Sequence, residues 1–158
     1  MERTITLSVF LLRIGLAIIF LYSSISKIMD PHWSAAPYLA QAQTFPALYQ
    51  WFAAPERIGL VNGLNEWGQF LIGLALLLGA GVRIASIGGI LMMLLYYFPI
   101  LHFPYVGQNY FIVDEHIMFI LIFIFFLQVQ ASDYLGFGGF VRHNTKIGDQ
   151  KWVSILLQ

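Results

Sequence analysis

Residues 117–127 carry no polar side chain, and the three residues before them, Asp114, Glu115 and His116, are all ionisable. An unbroken apolar run of this kind belongs in lipid. An ionisable group at the edge of a lipid-spanning stretch is costly enough to count as a functional candidate by default. The rest of the chain fits that setting. Of its 158 residues, 59% are hydrophobic and 10% are charged, against about 25% charged in an ordinary soluble domain. The expectation is an integral membrane protein with room for about four helices of roughly 20 residues. Zero formal net charge argues against nucleic acid as a partner. The absence of cysteine removes thiolate chemistry, disulfide exchange, iron–sulfur ligation and thioether-linked haem.

The pattern predicts an all-α, integral membrane four-helix bundle, with spans over about residues 5–28, 60–80, 84–101 and 110–129. Residues 1–140 make the membrane domain and 141–158 a cytoplasmic tail, with a short apolar end at 152–157. The first span lacks a small-residue cleavage site and continues to Lys27, so it reads as a retained helix. Its Arg13, Ala17, Phe20, Ser24 and Lys27 step by four, three, four and three residues, which places them on one helical face. The same spacing places Asn62, Glu66, Gln69 and Gly73 on one face of the second span. Between these spans, Pro31, Pro37, Pro46 and Pro55 punctuate an aromatic-rich connection. Two short interfacial helices are expected there, near 34–43 and 46–53, capping the outer end of the bundle. Gly79 to Arg83 reads as a tight turn. Ala85, Ser86, Gly88 and Gly89 in the third span allow close helix approach.

Arg3, Arg83, Arg142, Lys146 and Lys151 fall on one side and Lys27 and Arg57 on the other, which predicts both termini in the cytoplasm. With alternating directions, Lys27, Glu66, Tyr96, Tyr97 and Asp114 to His116 then share an outer layer. Glu66 sits roughly 9 Å and Glu115 roughly 7 Å inside their spans, at 1.5 Å per residue.

Bland explanations stand beside this one. Asp114 and Glu115 suit the first turn of a helix, where acids complement the macrodipole. Consecutive residues point about 100° apart, so Asp114, Glu115 and His116 do not all face one partner. Lys27 can snorkel; Arg13 can do the same or pair with an inner-side carbonyl. Asn62, Asn65 and Gln69 can serve as interhelical glue, and tyrosines and tryptophans as an interfacial belt. Three chemistries compete for the layer. Carboxylates and a histidine beside an apolar slot suit a quinone, whose head needs hydrogen bonds and protons. Glu66, Asp114 or Glu115, and His116 are also hard ligands for a metal, but the paired Glu-x-x-His pattern of di-iron bundles is missing, and a bis-histidine haem needs His116 with His102 or His32, of which only His116 lies inside a span. The third alternative is a non-catalytic protein whose polar layer fixes packing or binds a partner.

Leu12-Arg13-Ile14-Gly15 leading to Lys27, the run from His32 to Leu39, Asn65-Glu66-Trp67-Gly68, the glycine turn at 78–83 and Val113-Asp114-Glu115-His116 together resemble the DoxX/DoxD family over residues 8–140. The resemblance implies a small four-helix membrane protein. For the DoxD type it implies a subunit of a thiosulfate:quinone oxidoreductase, which works with a second subunit, DoxA. The expected function is thus the membrane subunit of a quinone-linked oxidoreductase of the cytoplasmic membrane, with quinone as acceptor and without haem or metal. Its expected partners are the bilayer, a DoxA-type subunit or a further copy of the chain. Glu66, Asp114, Glu115 and His116 are the candidates for proton handling; Lys27, Asn62, Asn65, Gln69, Trp67 and Tyr97 are the candidates for holding the substrate or quinone.

Overall fold

The computed structural model describes residues 2–108 and 110–144. The chain is mostly helical. Four long helices, α1 (Glu2–Ile28), α4 (Pro55–Leu78), α5 (Val82–Ile100) and α6 (Glu115–Val129), pack side by side. The short α2 (Ala36–Ala40) and α3 (Pro46–Phe52) lie over one end of α4 and α5. A 3-10 turn, Ala131–Asp133, and α7 (Phe137–Asn144) close the other end. The tail expected over 141–158 is described only to Asn144; Lys146, Lys151 and the apolar stretch 152–157 lie outside the described residues.

Local chemistry sets most boundaries. Pro46 and Pro55 occupy the first helical positions of α3 and α4, where a missing N–H is harmless. Gly79, at φ 65°, ends α4 in the left-handed conformation and Gly81, at φ 69°, precedes α5; both angles suit glycine. The two short helices fall where the prolines put them.

One boundary differs from expectation. The fourth helix starts at Glu115 instead of 110. Before it, β1 (Leu101–His102), β2 (Tyr105–Val106) and β3 (Tyr110–Phe111) form a small antiparallel sheet where an open loop and the head of a helix were expected. Ile112 follows with φ 58°, a strained conformation for a β-branched residue. Its carbonyl accepts the Tyr97 hydroxyl at 2.7 Å and its N–H donates to the Pro104 carbonyl at 3.0 Å. Asp114 then caps α6, its Oδ1 accepting the N–H groups of His116 at 3.0 Å and Ile117 at 3.2 Å. A capped start five residues late leaves α6 at 15 residues, roughly 22 Å at 1.5 Å per residue.

The main core lies between α1, α4, α5 and α6 and includes Leu16, Ala17, Phe20, Leu76, Phe123 and Phe126. Phe20 meets Phe123 edge-on at 5.5 Å. Small residues bring the backbones together: a Cβ on Gly73 would lie 3.0 Å from the Leu21 nitrogen, and one on Gly89 would run into the Phe123 ring. The predicted polar stripe of α1 does face inward, with Arg13, Ala17, Phe20 and Ser24 buried. Outward, Leu11, Ile18, Leu60, Leu71, Ile87, Leu91 and Leu121 are exposed along the long helices. Two helices, Thr4–Ile28 and Val82–Ile100, are long and apolar enough to cross a membrane.

Candidate functional site

At the end covered by α2 and α3, one side chain gathers the others. Lys27 Nζ, at the end of α1, donates to Asn65 Oδ1 at 2.9 Å and to Gln69 Oε1 at 2.7 Å on α4. Ser23 Oγ donates to the same Gln69 oxygen at 3.3 Å. The ammonium also lies 5.1 Å from the centre of the Trp33 ring and 5.5 Å from that of Tyr96, within the reach of a cation–π attraction. Glu66 is half-buried and acts on Lys27 through charge, without a direct ion pair. Beyond Tyr96, its ring meets His116 edge-on at 6.1 Å, and His116 Nδ1 is 2.5 Å from Asp114 Oδ2. Four helices thus contribute polar side chains to one end of the bundle.

Next to this cluster is a cavity of about 600 Å³ between α4 and α5. Its wall is apolar along most of its length: Leu64, Gly68, Leu71, Ile72 and Ala75 on α4; Ile84, Ala85, Gly88, Leu91, Met92 and Leu95 on α5. The polar groups concentrate at the end under α2 and α3, where Asn65, Tyr38, Tyr49 and Tyr96 line it. The Tyr38 hydroxyl donates to the Tyr96 carbonyl at 2.5 Å and the Tyr49 hydroxyl to the Leu95 carbonyl at 3.2 Å. Burial raises both phenols above the ordinary tyrosine range, and Asp114 adds to the effect at Tyr38; both keep their protons at neutral pH. The Tyr96 hydroxyl is buried and faces the Asn65 amide, without a hydrogen bond of full geometry to it. A buried polar group without a full hydrogen bond is uncommon and asks for a reason.

The candidate residues therefore separate. Lys27, Asn65 and Gln69 come together, with Glu66 close by. Asp114 and His116 form a pair at the same end, but Asp114 is chiefly a helix cap, and Glu115 is exposed on the first turn. Asn62 lies elsewhere: its Oδ1 accepts the Ala35 N–H at 3.0 Å and its amide donates to Ser34 Oγ, which ties α4 to the segment before α2. Trp67 is 54% exposed and stacks edge-on with Phe70. Tyr97 holds the Ile112 carbonyl and does not line the cavity; its neighbour Tyr96 does. Outside the sequence's candidates for the site are Tyr96, placed there only in the shared outer layer, and Tyr38, Tyr49 and Trp33, whose aromatic rings also suit an interfacial belt. The available signal was the face of α5 itself: Gly81, Ala85, Gly88, Met92 and Tyr96 recur at intervals of four, three, four and four.

At the opposite end, Arg13 is fully buried and donates to the carbonyls of Ala131 at 2.8 Å and Leu135 at 3.0 Å. It pairs with backbone carbonyls at its own end of the bundle instead of reaching outward. Among the described residues, no three His, Asp or Glu side chains gather as a metal site requires.

The DoxX family profile matches residues 8–102, more than half of the chain. The chain belongs to the DoxX family. The matched stretch covers α1 to α5, hence Lys27, Asn65, Gln69, Tyr96 and both walls of the cavity; Asp114 and His116 lie beyond it. Family membership and the two membrane-capable helices make this a membrane protein of the DoxX type. No curated protein and no solved structure matches the chain.

Proposed function

We propose that this DoxX protein is the membrane subunit of a quinone-linked oxidoreductase and that the cavity between α4 and α5 holds the quinone. The observation that carries the reading is the asymmetry of that cavity. It is an apolar slot of about 600 Å³ with its polar groups at one end, among them a buried Tyr96 hydroxyl beside the Asn65 amide. A quinone has the same asymmetry, an apolar tail and a head that accepts hydrogen bonds. Tyr96 and Asn65 would hold a head carbonyl, and Gly68 and Gly88, lacking side chains, leave width for the tail. A bound quinone accepts two electrons and two protons. The His116–Asp114 pair, next to the Tyr96 ring, is the group best placed to pass protons toward that end.

In this reading all four long helices cross the cytoplasmic membrane as one domain of residues 1–140, with both termini inside and the polar end outward. The short α6 is completed by the sheet and the 3-10 turn at its ends, since irregular backbone at membrane depth has to be covered by protein. The DoxD likeness supplies thiosulfate as the electron donor and a DoxA-type chain as the partner. A second reading, a packing protein without redox activity, is favoured by one fact: Asn62, Tyr97 and Asp114 are all bonded to backbone groups.

The test is binding of a short-chain prenyl quinone to the purified protein, then thiosulfate-dependent quinone reduction with the partner chain added. The expected result is saturable binding, weakened about tenfold in Tyr96→Phe, as for the loss of one hydrogen bond of about 1.4 kcal/mol, and weakened further in Gly68→Leu. Wild-type protein that binds no quinone supports the packing reading instead.

A further inference from the structure

The head of the slot has a direction built into it. An ammonium donates hydrogen bonds and accepts none, so the amides of Asn65 and Gln69 are both held with their oxygens toward Lys27. Asn65 lines the slot, and with its oxygen engaged it turns its NH2 group toward the Tyr96 hydroxyl at the head of the slot. Tyr96 adds a hydroxyl whose one polar neighbour is that amide, so its proton is free to be donated to a ligand. The strong acceptors nearby are already in use: the Tyr96 carbonyl takes the Tyr38 hydroxyl, the Leu95 carbonyl takes the Tyr49 hydroxyl, and Asn65 Oδ1 takes the ammonium. Among the side chains that line the slot, the acceptors without a hydrogen bond of full geometry are phenol oxygens, and the Glu66 carboxylate near Lys27 does not line it. The two rings that flank the ammonium, Trp33 and Tyr96, hold the positive charge at this end.

We infer that Lys27 is a positioning residue that, through Asn65, makes the slot select the oxidised dione form of a quinone over its quinol. This rests on the quinone reading above and refines it. A dione carbonyl only accepts, so it matches a fixed NH2 donor, a hydroxyl and a nearby cation. A quinol hydroxyl has to place a proton, and here it meets a donor and a positive charge. The selection arises from the direction of one amide, and Lys27 sets that direction without touching the ligand.

The experiment measures the affinities of the intact protein for a short-chain prenyl benzoquinone and for its quinol under anaerobic conditions. Wild-type protein is expected to bind the quinone about tenfold more tightly, the worth of one hydrogen bond near a charge. For this two-electron couple that is a midpoint potential of the bound quinone lowered by about 30 mV. Lys27→Met frees the amide to turn and brings the ratio close to one. Lys27→Arg, also a donor-only cation, keeps the preference. Asn65→Asp presents acceptors in place of the NH2 group and reverses the preference; this variant carries the test if Lys27→Met does not fold. A folded Lys27→Met protein with the wild-type ratio, or a wild-type ratio near one, overturns the inference while the quinone reading stands. Wild-type protein that binds neither form overturns both.

Discussion

Arg13 and Lys27 stand on the same face of α1, four helical turns apart, and end in opposite kinds of surroundings. Arg13 reaches two backbone carbonyls after α6, wedged so closely that a Cβ on Gly79 would lie 2.6 Å from its Nη1. Lys27 reaches two side-chain amides and two ring faces beside a cavity. Guanidinium geometry suits the first place, since a planar fork of donors can satisfy several carbonyls at once. A compact ammonium on a flexible stem suits the second, where its partners are side chains that a ligand can also use. One cation closes the fold and the other holds Asn65, an amide that lines the slot. Burial of a charge in a membrane helix therefore does not by itself mark function; the difference lies in whether its partners are backbone or side chain.

The largest effect that tests this contrast is on stability. Arg13→Met removes two charge-assisted hydrogen bonds of about 1.5–3 kcal/mol each, so a loss of roughly 3–5 kcal/mol is expected. Lys27→Met removes bonds to side chains that can reorient, with an expected loss of less than about 1.5 kcal/mol. Unfolding in detergent measures both, and equal losses would erase the distinction between lock and site.

The next effect separates two neighbouring glycines. Gly89 faces the Phe123 ring with no space for a Cβ, whereas a Cβ on Gly88 lies 3.7 Å from Ile72, in the cavity wall. Gly89→Leu should lower stability by about 1–3 kcal/mol through overpacking. Gly88→Leu should change stability by about 0.5 kcal/mol or less and instead weaken quinone binding. If binding responds only to Gly89→Leu, the slot between α4 and α5 is not the site.

The smallest effect compares adjacent acids. Asp114→Ala removes the cap of α6 and the partner of His116, an expected loss of about 1 kcal/mol. Glu115→Gln, on the exposed side of the same turn, should stay within about 0.5 kcal/mol. Thermal unfolding of the two variants side by side decides whether the acid pair acts as a unit or as a cap and a bystander.

Much of this was legible in the residues. The inward stripe from Arg13 to Lys27, the stripe from Asn62 to Gly73, the proline-bounded short helices and the glycine turn all follow from spacing and from single-residue conformational limits. The choice of Tyr97 over Tyr96 was not recoverable from depth in the span, because neighbours on a helix share a depth and differ by about 100° in direction. The start of α6 was misplaced for a related reason: the apolar aromatic residues 110–113 suit a strand as well as a helix. The Asp114 cap and the cross-strand pairing of Tyr105 with Phe111 resolve it.

The sequence by itself determined the class of molecule, the long apolar helices and the costly residues toward one end. These depend on composition and on the 3.6-residue period, which are local. Tertiary structure alone decided which of those residues meet, that Asn65 turns its oxygen to Lys27, that the Tyr96 hydroxyl is buried beside Asn65, and that a slot is left between α4 and α5. Such facts depend on the relative rotation of packed helices, which is set by contacts such as Gly73 on Leu21 and Gly89 on Phe123, between residues far apart in the chain.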